Sequence, residues 1–344
     1  MGIVRAVCVD RRSTAERRKQ CAPVPEQGNH LRLSIVTTLY RSSETIDEFY
    51  RRSIAAAEPL FDDVEIVMVN DGSPDDSVER AVTIHEADPR VTVVDLSRNF
   101  GHHKAMMTGL SYASGDLVFL IDSDLEEPPE LLQAFYDRFC KSDCDVVYGV
   151  QKRRRGGPLN RVGGAAFFRL AAALSDHPLP NNLIVARLMS RDYVRALVRH
   201  RDREFLIAYL WEIAGFRQVQ IPVDKHVSSP TTYTFPNRLR MAIKHLTTTS
   251  TKLLYLILYA GITIFLFAVA VIFYFTVRYM TSGVGVSGFT SVIVSIWFFG
   301  GLTTLILGIL GVYIANIFSE TKRRPYTVVR RIYRQGRAVK PIAE

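Results

Sequence analysis

Residues 119–130 read FLIDSDLEEPPE, and this stretch decides how the rest of the chain is interpreted. An apolar run that ends in Asp122 and Asp124 is typical of a buried strand followed by a loop and a helix. On an extended backbone, residues i and i+2 share one face, so both carboxylates point to the same side. Oxygen ligands without histidine or cysteine favour Mg²⁺ or Mn²⁺ over zinc. The pair is spaced to hold such a cation beside a ribose or a pyrophosphate.

Strand-like and helix-like segments alternate around this stretch. Strands are predicted over residues 31–38, 64–70, 91–95 and 116–122, and helices over 43–57, 75–88, 103–113 and 128–140. Such alternation predicts an α/β fold with a Rossmann-like, mostly parallel sheet flanked by helices. Ligands of such sheets bind at the carboxyl ends of the strands, which is where Asp122 and Asp124 lie.

Two long uncharged runs follow. Residues 253–277 contain no charged side chain, and neither do residues 279–319, whose most apolar part is 291–318. A helix of 25 residues spans roughly 37 Å, more than a hydrocarbon core of about 30 Å. The connection between the runs is short and rich in Gly and Ser. The sequence therefore predicts a transmembrane hairpin of two helices.

The charges beside these runs predict an orientation. Basic residues cluster before the first run and after the second, whereas the connection offers only Arg278. The positive-inside rule then places the large N-terminal part and the C-terminal tail in the cytoplasm, which predicts a multi-pass protein of the inner (cell) membrane. The net charge of +9 suits anionic lipid headgroups, so no nucleic-acid partner is expected.

Three further stretches resemble motifs of one enzyme family, in the same order along the chain. They are residues 34–40, SIVTTLY; 69–75, VNDGSPD; and 96–101, LSRNFG. With residues 122–130, they resemble the family 2 glycosyltransferases of GT-A fold. The resemblance is to the polyprenyl-phosphate sugar transferases in particular, such as bacterial undecaprenyl-phosphate glucosyltransferases and dolichyl-phosphate mannose synthases. It covers about residues 33–223, and the two predicted spans fit the bacterial branch.

The residue patterns and the resemblance together predict five parts of the chain. They are a basic tail without regular structure at 1–30, a cytoplasmic GT-A catalytic domain at 31–230, an amphipathic interfacial juxtamembrane helix at 231–252, the transmembrane hairpin at 253–318 and a basic cytoplasmic tail at 319–344. The interfacial helix rests on apolar residues at helical spacing among basic ones. A further amphipathic helix is predicted over residues 159–174.

A nucleotide-sugar donor, with UDP favoured over GDP, and a cation, Mg²⁺ or Mn²⁺, are also implied. The expected donor-binding residues are Thr38, Tyr40, Asp71, Asn99, Lys104 and Asp122, and the expected metal ligand is Asp124. Asp71 would accept hydrogen bonds from the nucleobase, although a residue that only stabilises its own turn is the alternative. Lys104 would neutralise phosphate, or is simply an exposed lysine at a helix start.

The acceptor side departs from the family pattern. Relatives often carry an Asp two residues before an Arg-Leu-Met sequence, and Val185 occupies that place here. The lysine of a Ser-Lys-Tyr sequence is also missing, since residues 231–233 read TTY. A phosphate monoester is largely ionised at neutral pH and needs no general base. We therefore expect a catalytic cationic cradle for the lipid phosphate. Its expected members are Arg187 and Arg203, followed by Lys225 and His226.

The predicted reaction is inverting transfer of a sugar from a nucleotide-sugar to polyprenyl (undecaprenyl) phosphate at the cytoplasmic face, in lipopolysaccharide or cell-envelope glycan synthesis. A processive polysaccharide synthase is one alternative, but Trp211 lacks the Gln-x-x-Arg-Trp context of that class. A catalytically silent nucleotide-sugar sensor or scaffold is the other, because of Val185. Relatives with such a hairpin are often tetramers, so a homo-oligomer is a further expectation.

Overall fold

The computed structural model describes residues 31–151, 183–200, 202–203, 205–224, 252–282, 288–322 and 324–335. The strands in these ranges are β1 (Arg32–Leu39), β2 (Asp63–Asn70), β3 (Val91–Leu96), β4 (Leu117–Leu120), β5 (Val146–Gln151), β6 (Leu183–Ser190), β7 (Gln218–Val223) and β8 (Val329–Tyr333). The helices are α1 (Ile46–Ala57), α2 (Ser77–Ala87), α3 (His102–Tyr112), α4 (Leu131–Lys141), α5 (Arg191–Val198), α6 (Ile207–Ile213), α7 (Lys252–Ser282) and α8 (Phe289–Thr321).

All the described strands join one sheet in the order β7-β5-β6-β4-β1-β2-β3-β8. Strand β6 runs antiparallel to β4 and β5, and β8 runs antiparallel to β3, while the other neighbours are parallel. This confirms the predicted mostly parallel α/β fold. The carboxyl ends of β1, β2, β3 and β4 therefore meet along one side of the sheet, which we call the carboxyl edge.

Helices cover both faces of the sheet. Helices α1, α2 and α4 contribute Phe49, Ile84 and Phe135 to the apolar core on one face. Helices α3, α5 and α6 contribute side chains such as Leu110 and Leu197 to the core on the other face. Because helices cover both faces, the central strands are buried over nearly their whole length, including polar residues such as Ser34, Thr37 and Glu65.

For β1 to β4 and α1 to α4, the predicted boundaries differ from the observed ones by at most three residues. Helix α1 begins at Ile46 because residues 42–45 form a turn, in which the Ser42 carbonyl accepts the Thr45 amide at 3.1 Å. Helix α4 begins at Leu131 because the two prolines and Glu130 form the turn before it. The predicted tail at 1–30, the helix at 159–174 and the interfacial helix up to residue 251 lie outside the described residues.

Two long helices follow the sheet. Helix α7 has 31 residues and α8 has 33, so both extend beyond the predicted apolar runs into the predicted connection. In the part of the chain that the structure describes, one segment, Phe298–Thr321, is long and apolar enough to cross a membrane. Its large apolar side chains, such as Leu305, Ile314 and Phe318, are exposed. The second predicted span stays a prediction.

The chain after α8 returns to the sheet. Strand β8 pairs with β3, so that Tyr333 lies opposite Val93 and Val329 opposite Leu96. Beyond it, Arg334 Nη2 lies 3.7 Å from the buried Oε2 of Glu65. The predicted basic tail at 319–344 therefore contains a strand of the sheet whose other strands precede helix α7. Sequence reasoning missed this strand because its five residues include two arginines beside apolar ones.

Helix α3 lies unusually close to the sheet at Gly109. A Cβ atom there would lie 2.6 Å from Val36 Cγ1 of β1 and 2.9 Å from Val69 Cγ2 of β2. We predict that Gly109→Ala destabilises the domain by about 1–3 kcal/mol through overpacking, although alanine is the better helix former. Thermal unfolding of the full chain in detergent tests this. A midpoint above that of the parent would mean that helix propensity outweighs the packing.

Candidate active site

A cavity of about 180 Å³ opens at the carboxyl edge. It is lined by Thr38, Tyr40, Asp71, Asn99, Gly101 and His102. These residues follow or end β1, β2 and β3, whose parallel order brings sequence-distant loops together. The structure thus gathers most of the predicted donor-binding residues around one space.

Asp71, directly after β2, is 2% exposed and holds two of these loops together. Its Oδ1 accepts the Phe100 amide at 2.7 Å, and its Oδ2 accepts the Gly101 amide at 3.0 Å. Burial raises the pKa of Asp71, and the two amide hydrogen bonds act against that shift. A carboxylate oxygen has a second acceptor position, so Asp71 can still receive a donor from a ligand in the cavity.

The next residue explains why the turn carries glycine. Gly72 has φ 59°, in the left-handed region. A Cβ atom at this position would overlap the backbone of Arg98 and Asn99. Glycine therefore meets both the backbone conformation and the close approach of the loop after β3. The loops after β2 and β3 form one packed unit.

Asp75 fastens the rest of this turn. Its carboxylate accepts Ser77 Oγ at 2.6 Å, the Ser43 amide at 3.2 Å and the Ser73 hydroxyl. Burial acts to raise the pKa of Asp75, but these hydrogen bonds outweigh it and hold the pKa below its usual range. The Ser73 hydroxyl also accepts the Arg41 amide at 2.7 Å, which joins the turn to the loop after β1.

Tyr40 presents an aromatic face at the cavity. Its side chain is 47% exposed, although tyrosine is a residue that usually buries much of its ring. The following residue, Arg41, has φ 56°, a strained conformation for a residue with a side chain. An exposed ring beside polar groups is suited to stacking with a planar base.

His102 is a site residue that sequence reasoning missed. Its Nδ1 lies 3.0 Å from Thr38 Oγ1, and its Nε2 lies 3.3 Å from Asp122 Oδ1. In the neutral tautomer with its proton on Nε2, the ring donates a hydrogen bond to the Asp122 carboxylate. Its Nδ1 then accepts a hydrogen bond from the Thr38 hydroxyl. The ring thus bridges the ends of β1 and β4. The available signal was its place at the helix start directly after Gly101.

The two acidic residues follow β4, and Ser123 and Asp124 lie in a turn rather than on extended backbone, so the shared face of Asp122 and Asp124 stays a prediction. Between them, Ser123 is buried, and its Oγ donates to the Thr38 carbonyl at 2.9 Å. Asp122 is half-buried and Asp124 is exposed, with one oxygen accepting the Glu126 amide at 3.0 Å. The residue after Asp124, Leu125, has φ 60°, which is a second strained backbone position at this edge.

Lys104 lies in the first turn of α3 and is partly exposed. Its amide donates to the Gly101 carbonyl at 3.0 Å, so the helix begins at the cavity. A cation in this turn adds to the positive end of the helix dipole. The position is compatible with the predicted contact to a phosphate.

Arg187 does not lie where a lipid phosphate would reach it. The side chain is 1% exposed, and its Cζ lies 2.9 Å from the centre of the Trp211 ring. Neither Nη atom has a hydrogen-bond partner in the described structure, and burial lowers the pKa of Arg187 to about 10. The predicted phosphate contact therefore stays a prediction, and the burial of Arg187 does not support it. Strand β6 lies inside the sheet, and the residue turns toward the helix that carries Trp211.

Arg203 lies in a different environment. Its side chain is partly exposed, and its amide donates to Glu320 Oε1 at 2.7 Å, near the end of α8. Arg203 is thus adjacent to the long apolar helix. Lys225 and His226, the other predicted phosphate ligands, lie outside the described residues.

Glu127 is a second residue that sequence reasoning missed. It is fully buried, and its oxygens accept the amides of Val185 at 3.3 Å and Ala186 at 2.8 Å. A carboxylate therefore does lie beside position 185, where relatives often carry an Asp, but it comes from the loop after Asp124. The signal was available in the quoted motif, since Glu127 follows Asp124 by three residues.

Comparison with known proteins agrees with this geometry. Residues 34–198 match the family described as Glycosyl transferase family 2. A protein of Mycobacterium tuberculosis (strain CDC 1551 / Oshkosh), whose name assigns it to the glycosyltransferases without a substrate, is 49% identical over 88% of this chain and 89% of its own length. The chain belongs to glycosyl transferase family 2.

Two other proteins are similar to this transferase. The prophage bactoprenol glucosyl transferase homolog of Escherichia coli (strain K12) is 28% identical over 88% of this chain and 99% of its own. A solved structure of glucosyl-3-phosphoglycerate synthase from Mycobacterium tuberculosis, in complex with Mn²⁺, UDP and glucosyl-3-phosphoglycerate, is 20% identical. It covers 69% of this chain and 82% of its own, with a TM-score of 0.42.

The acidic residues of the transferase fit a hard divalent cation such as Mg²⁺ or Mn²⁺. Among the described residues no group of three His, Cys, Asp or Glu side chains could enclose a metal. Exposed Asp124, with Asp122 nearby in sequence, offers hard oxygen donors on an open side. Mg²⁺ is typically held in this way, by one or two carboxylates with substrate phosphates and water completing the shell.

The contacts of Asp71 generate a direct test. Asp71→Asn keeps the shape of the side chain but replaces one carboxylate oxygen by an amide nitrogen. That nitrogen cannot accept a hydrogen bond from a backbone amide, so one of the two charge-assisted hydrogen bonds to Phe100 and Gly101 is lost. We expect about tenfold weaker binding of UDP or GDP to the detergent-solubilised transferase, measured by titration calorimetry. Asp76→Asn, an exposed carboxylate in the same loop, is the matched control and should bind like the parent. Equal affinities for both variants would contradict this role.

The exposed position of Asp124 generates a second test. Asp124→Asn should abolish sugar transfer at saturating Mg²⁺ or Mn²⁺ while thermal unfolding stays within about 0.5 kcal/mol of the parent, because an exposed ligand contributes little to stability. Initial rates and unfolding midpoints are measured on the same preparation. Activity close to that of the parent would exclude Asp124 as the metal ligand.

Proposed function

We propose that this transferase moves a sugar from a nucleotide-sugar, UDP-sugar in particular, to polyprenyl phosphate at the cytoplasmic face of the inner membrane. The observation that carries the proposal is the position of the cavity. It lies in a domain whose Arg203 amide is hydrogen-bonded to Glu320, at the end of the long apolar helix α8. The name of the Escherichia coli relative, which contains bactoprenol, a lipid alcohol, supports the same acceptor class.

The donor assignment is supported by the chemistry around the cavity. An exposed Tyr40 ring suits a base, and the buried carboxylate of Asp71 suits a donor group on that base. Asp122, held by His102, suits a ribose hydroxyl. When bound at Asp124, Mg²⁺ or Mn²⁺ would neutralise negative charge on the departing nucleoside diphosphate.

The proposed chemistry is a single displacement with inversion. An ionised phosphate oxygen of the lipid forms the new bond to the anomeric carbon, and the bond from that carbon to the diphosphate breaks. The attacking oxygen carries no proton, so no general base is required of the chain. The work of the protein is to position both substrates and to stabilise charge, which agrees with the rigid hydrogen-bonded loops after β1, β2 and β3.

The membrane arrangement is part of the proposal. Helices α7 and α8 would form the hairpin, with the catalytic domain on the cytoplasmic side, because the basic residues lie before α7 and after α8. A homo-oligomer is included in the proposal and is tested by molecular mass in detergent.

Product analysis tests the proposed reaction as a whole. The purified full chain is incubated with undecaprenyl phosphate and a panel of UDP- and GDP-sugars. We expect a lipid whose mass increases by one sugar residue, with an inverted anomeric configuration and equimolar nucleoside diphosphate. Release of the diphosphate without a lipid product would favour another acceptor. Sugar polymer in place of a lipid-linked monomer would favour a processive synthase.

The orientation gives a separate prediction. In a variant without native cysteines, Ser282→Cys at the end of α7 should react with an impermeant thiol reagent added outside intact cells. Arg324→Cys, an exposed residue after α8, should react only after the cells are opened. The reverse pattern would place the catalytic domain outside the cell and exclude a cytosolic nucleotide-sugar donor.

The two arginines expected at the acceptor side can be separated. Arg203→Ala should raise the KM for undecaprenyl phosphate about tenfold or more and leave the donor KM unchanged, because one charge-assisted phosphate contact is lost. Arg187→Met should leave the acceptor KM unchanged and should not lower the unfolding midpoint, because it removes a buried charge without hydrogen-bond partners at its Nη atoms. An acceptor effect at position 187 alone would return that residue to the phosphate cradle.

A further inference from the structure

The segment after α8 follows the edge of the catalytic sheet beside the cavity. Helix α8 ends at Thr321, and β8 begins eight residues later, opposite the carboxyl end of β3. Between them, Thr327 Oγ1 lies 2.8 Å from Thr108 Oγ1 of α3, and the Tyr326 ring packs on Phe205 with centroids 6.2 Å apart. The chain therefore reaches the sheet at its carboxyl edge.

At that edge, both the backbone amide and the backbone carbonyl of Ser97 are hydrogen-bonded to this segment. The Val328 carbonyl accepts the Ser97 amide at 2.9 Å. Arg330 Nη2 donates to the Ser97 carbonyl at 2.7 Å. Ser97 is the first residue after β3 and directly precedes the loop whose amides at Phe100 and Gly101 bind Asp71. The start of that loop is thus set by residues that follow α8.

A second route leads from the same arginine to the turn after β2. Arg330 Nη1 lies 3.6 Å from Asp95 Oδ2, whose other oxygen accepts the buried Asn70 amide group at 2.8 Å. The Asn70 side-chain oxygen in turn accepts the Ser73 amide at 3.1 Å. Arg330 therefore contacts, through Ser97 and Asp95, both loops that close on Asp71.

An irregularity in the pairing of β8 with β3 explains why Arg330 contacts both Ser97 and Asp95. The register between β3 and β8 shifts between Asp95 and Leu96, which lie opposite Arg331 and Val329. Arg330 is the extra residue on β8. A bulge of this kind redirects a side chain relative to a regular ladder and is common beside active sites.

We propose that Arg330 is a positioning residue for donor binding, acting from a strand that follows the membrane helix. It touches no substrate. It holds Ser97 and Asp95, and thereby the loops after β3 and β2 that line the nucleotide cavity. The inference rests on the proposed donor site. The inference adds that the segment after α8 is part of the donor site. Donor affinity would then depend on Arg330, which lies outside the family match at 34–198.

The test uses the full chain in lipid nanodiscs and three variants: Arg330→Ala, Arg330→Lys and Arg331→Ala. Arg331 is the matched control, because its side chain contacts Tyr333 of the same strand. UDP and GDP affinities are measured by calorimetry, together with the KM values for nucleotide-sugar and undecaprenyl phosphate and the unfolding midpoint.

We expect Arg330→Ala to weaken binding of the preferred nucleotide about three- to tenfold, since Arg330 is largely exposed and its contacts are correspondingly modest. The donor KM should rise in parallel, while the KM for undecaprenyl phosphate and the midpoint stay unchanged. Lysine can replace one of the two contacts, so Arg330→Lys should restore part of the affinity. Arg331→Ala should match the parent.

Two results would overturn the inference. One is nucleotide affinity of Arg330→Ala equal to that of Arg331→Ala. The other is a lower midpoint with unchanged nucleotide affinity, which would mean a purely structural role. Asp71→Asn, measured alongside, distinguishes a failure of the Arg330 inference from a failure of the proposed donor site. If Asp71→Asn weakens binding and Arg330→Ala does not, the donor site stands and the inference falls. If neither changes affinity, both fall.

Discussion

The carboxylate of Asp71 between two backbone amides is the interaction on which the rest of the site depends. It joins the loop after β2 to the loop after β3, and these loops form most of the cavity. The arrangement requires Gly72, because any side chain there would overlap the neighbouring loop. A buried charge is costly unless its hydrogen bonds are satisfied, and the two amides supply that compensation. The same hydrogen bonds therefore shape the cavity and compensate for the burial of the Asp71 carboxylate.

A second set of buried polar contacts ties the remaining strands to this centre. Ser123 donates to the Thr38 carbonyl, and His102 lies between the Thr38 hydroxyl and Asp122. The acidic loop after β4 is thus held against β1 before any ligand arrives. A rigid arrangement of this kind suits a reaction whose barrier is lowered by positioning and charge stabilisation. The strained backbone at Arg41 and Leu125 lies at the same edge.

The two arginines that the sequence suggested for the acceptor lie in different environments. Arg187 is enclosed against Trp211, whereas Arg203 lies beside the end of α8. Replacing a buried, incompletely paired cation by an apolar residue is often neutral or stabilising, so Arg187 is not expected to stabilise the fold. The strand that follows α8 joins the part of the chain after the long apolar helices to the sheet, next to the loops around Asp71.

Local pattern was sufficient for the order of strands and helices up to α4, since apolar runs and turn residues mark each of these elements. The resemblance of residues 122–130 and three other stretches was sufficient for the family and for Asp71 and Asp124 as candidates. It was insufficient for Arg187, whose burial depends on Trp211, a residue of another element. His102, Glu127 and the strand containing Arg330 were missed for the same reason. Their hydrogen-bond partners Thr38, Val185 and Ser97 lie 64, 58 and 233 residues away in sequence, and only the folded sheet brings them within hydrogen-bonding distance.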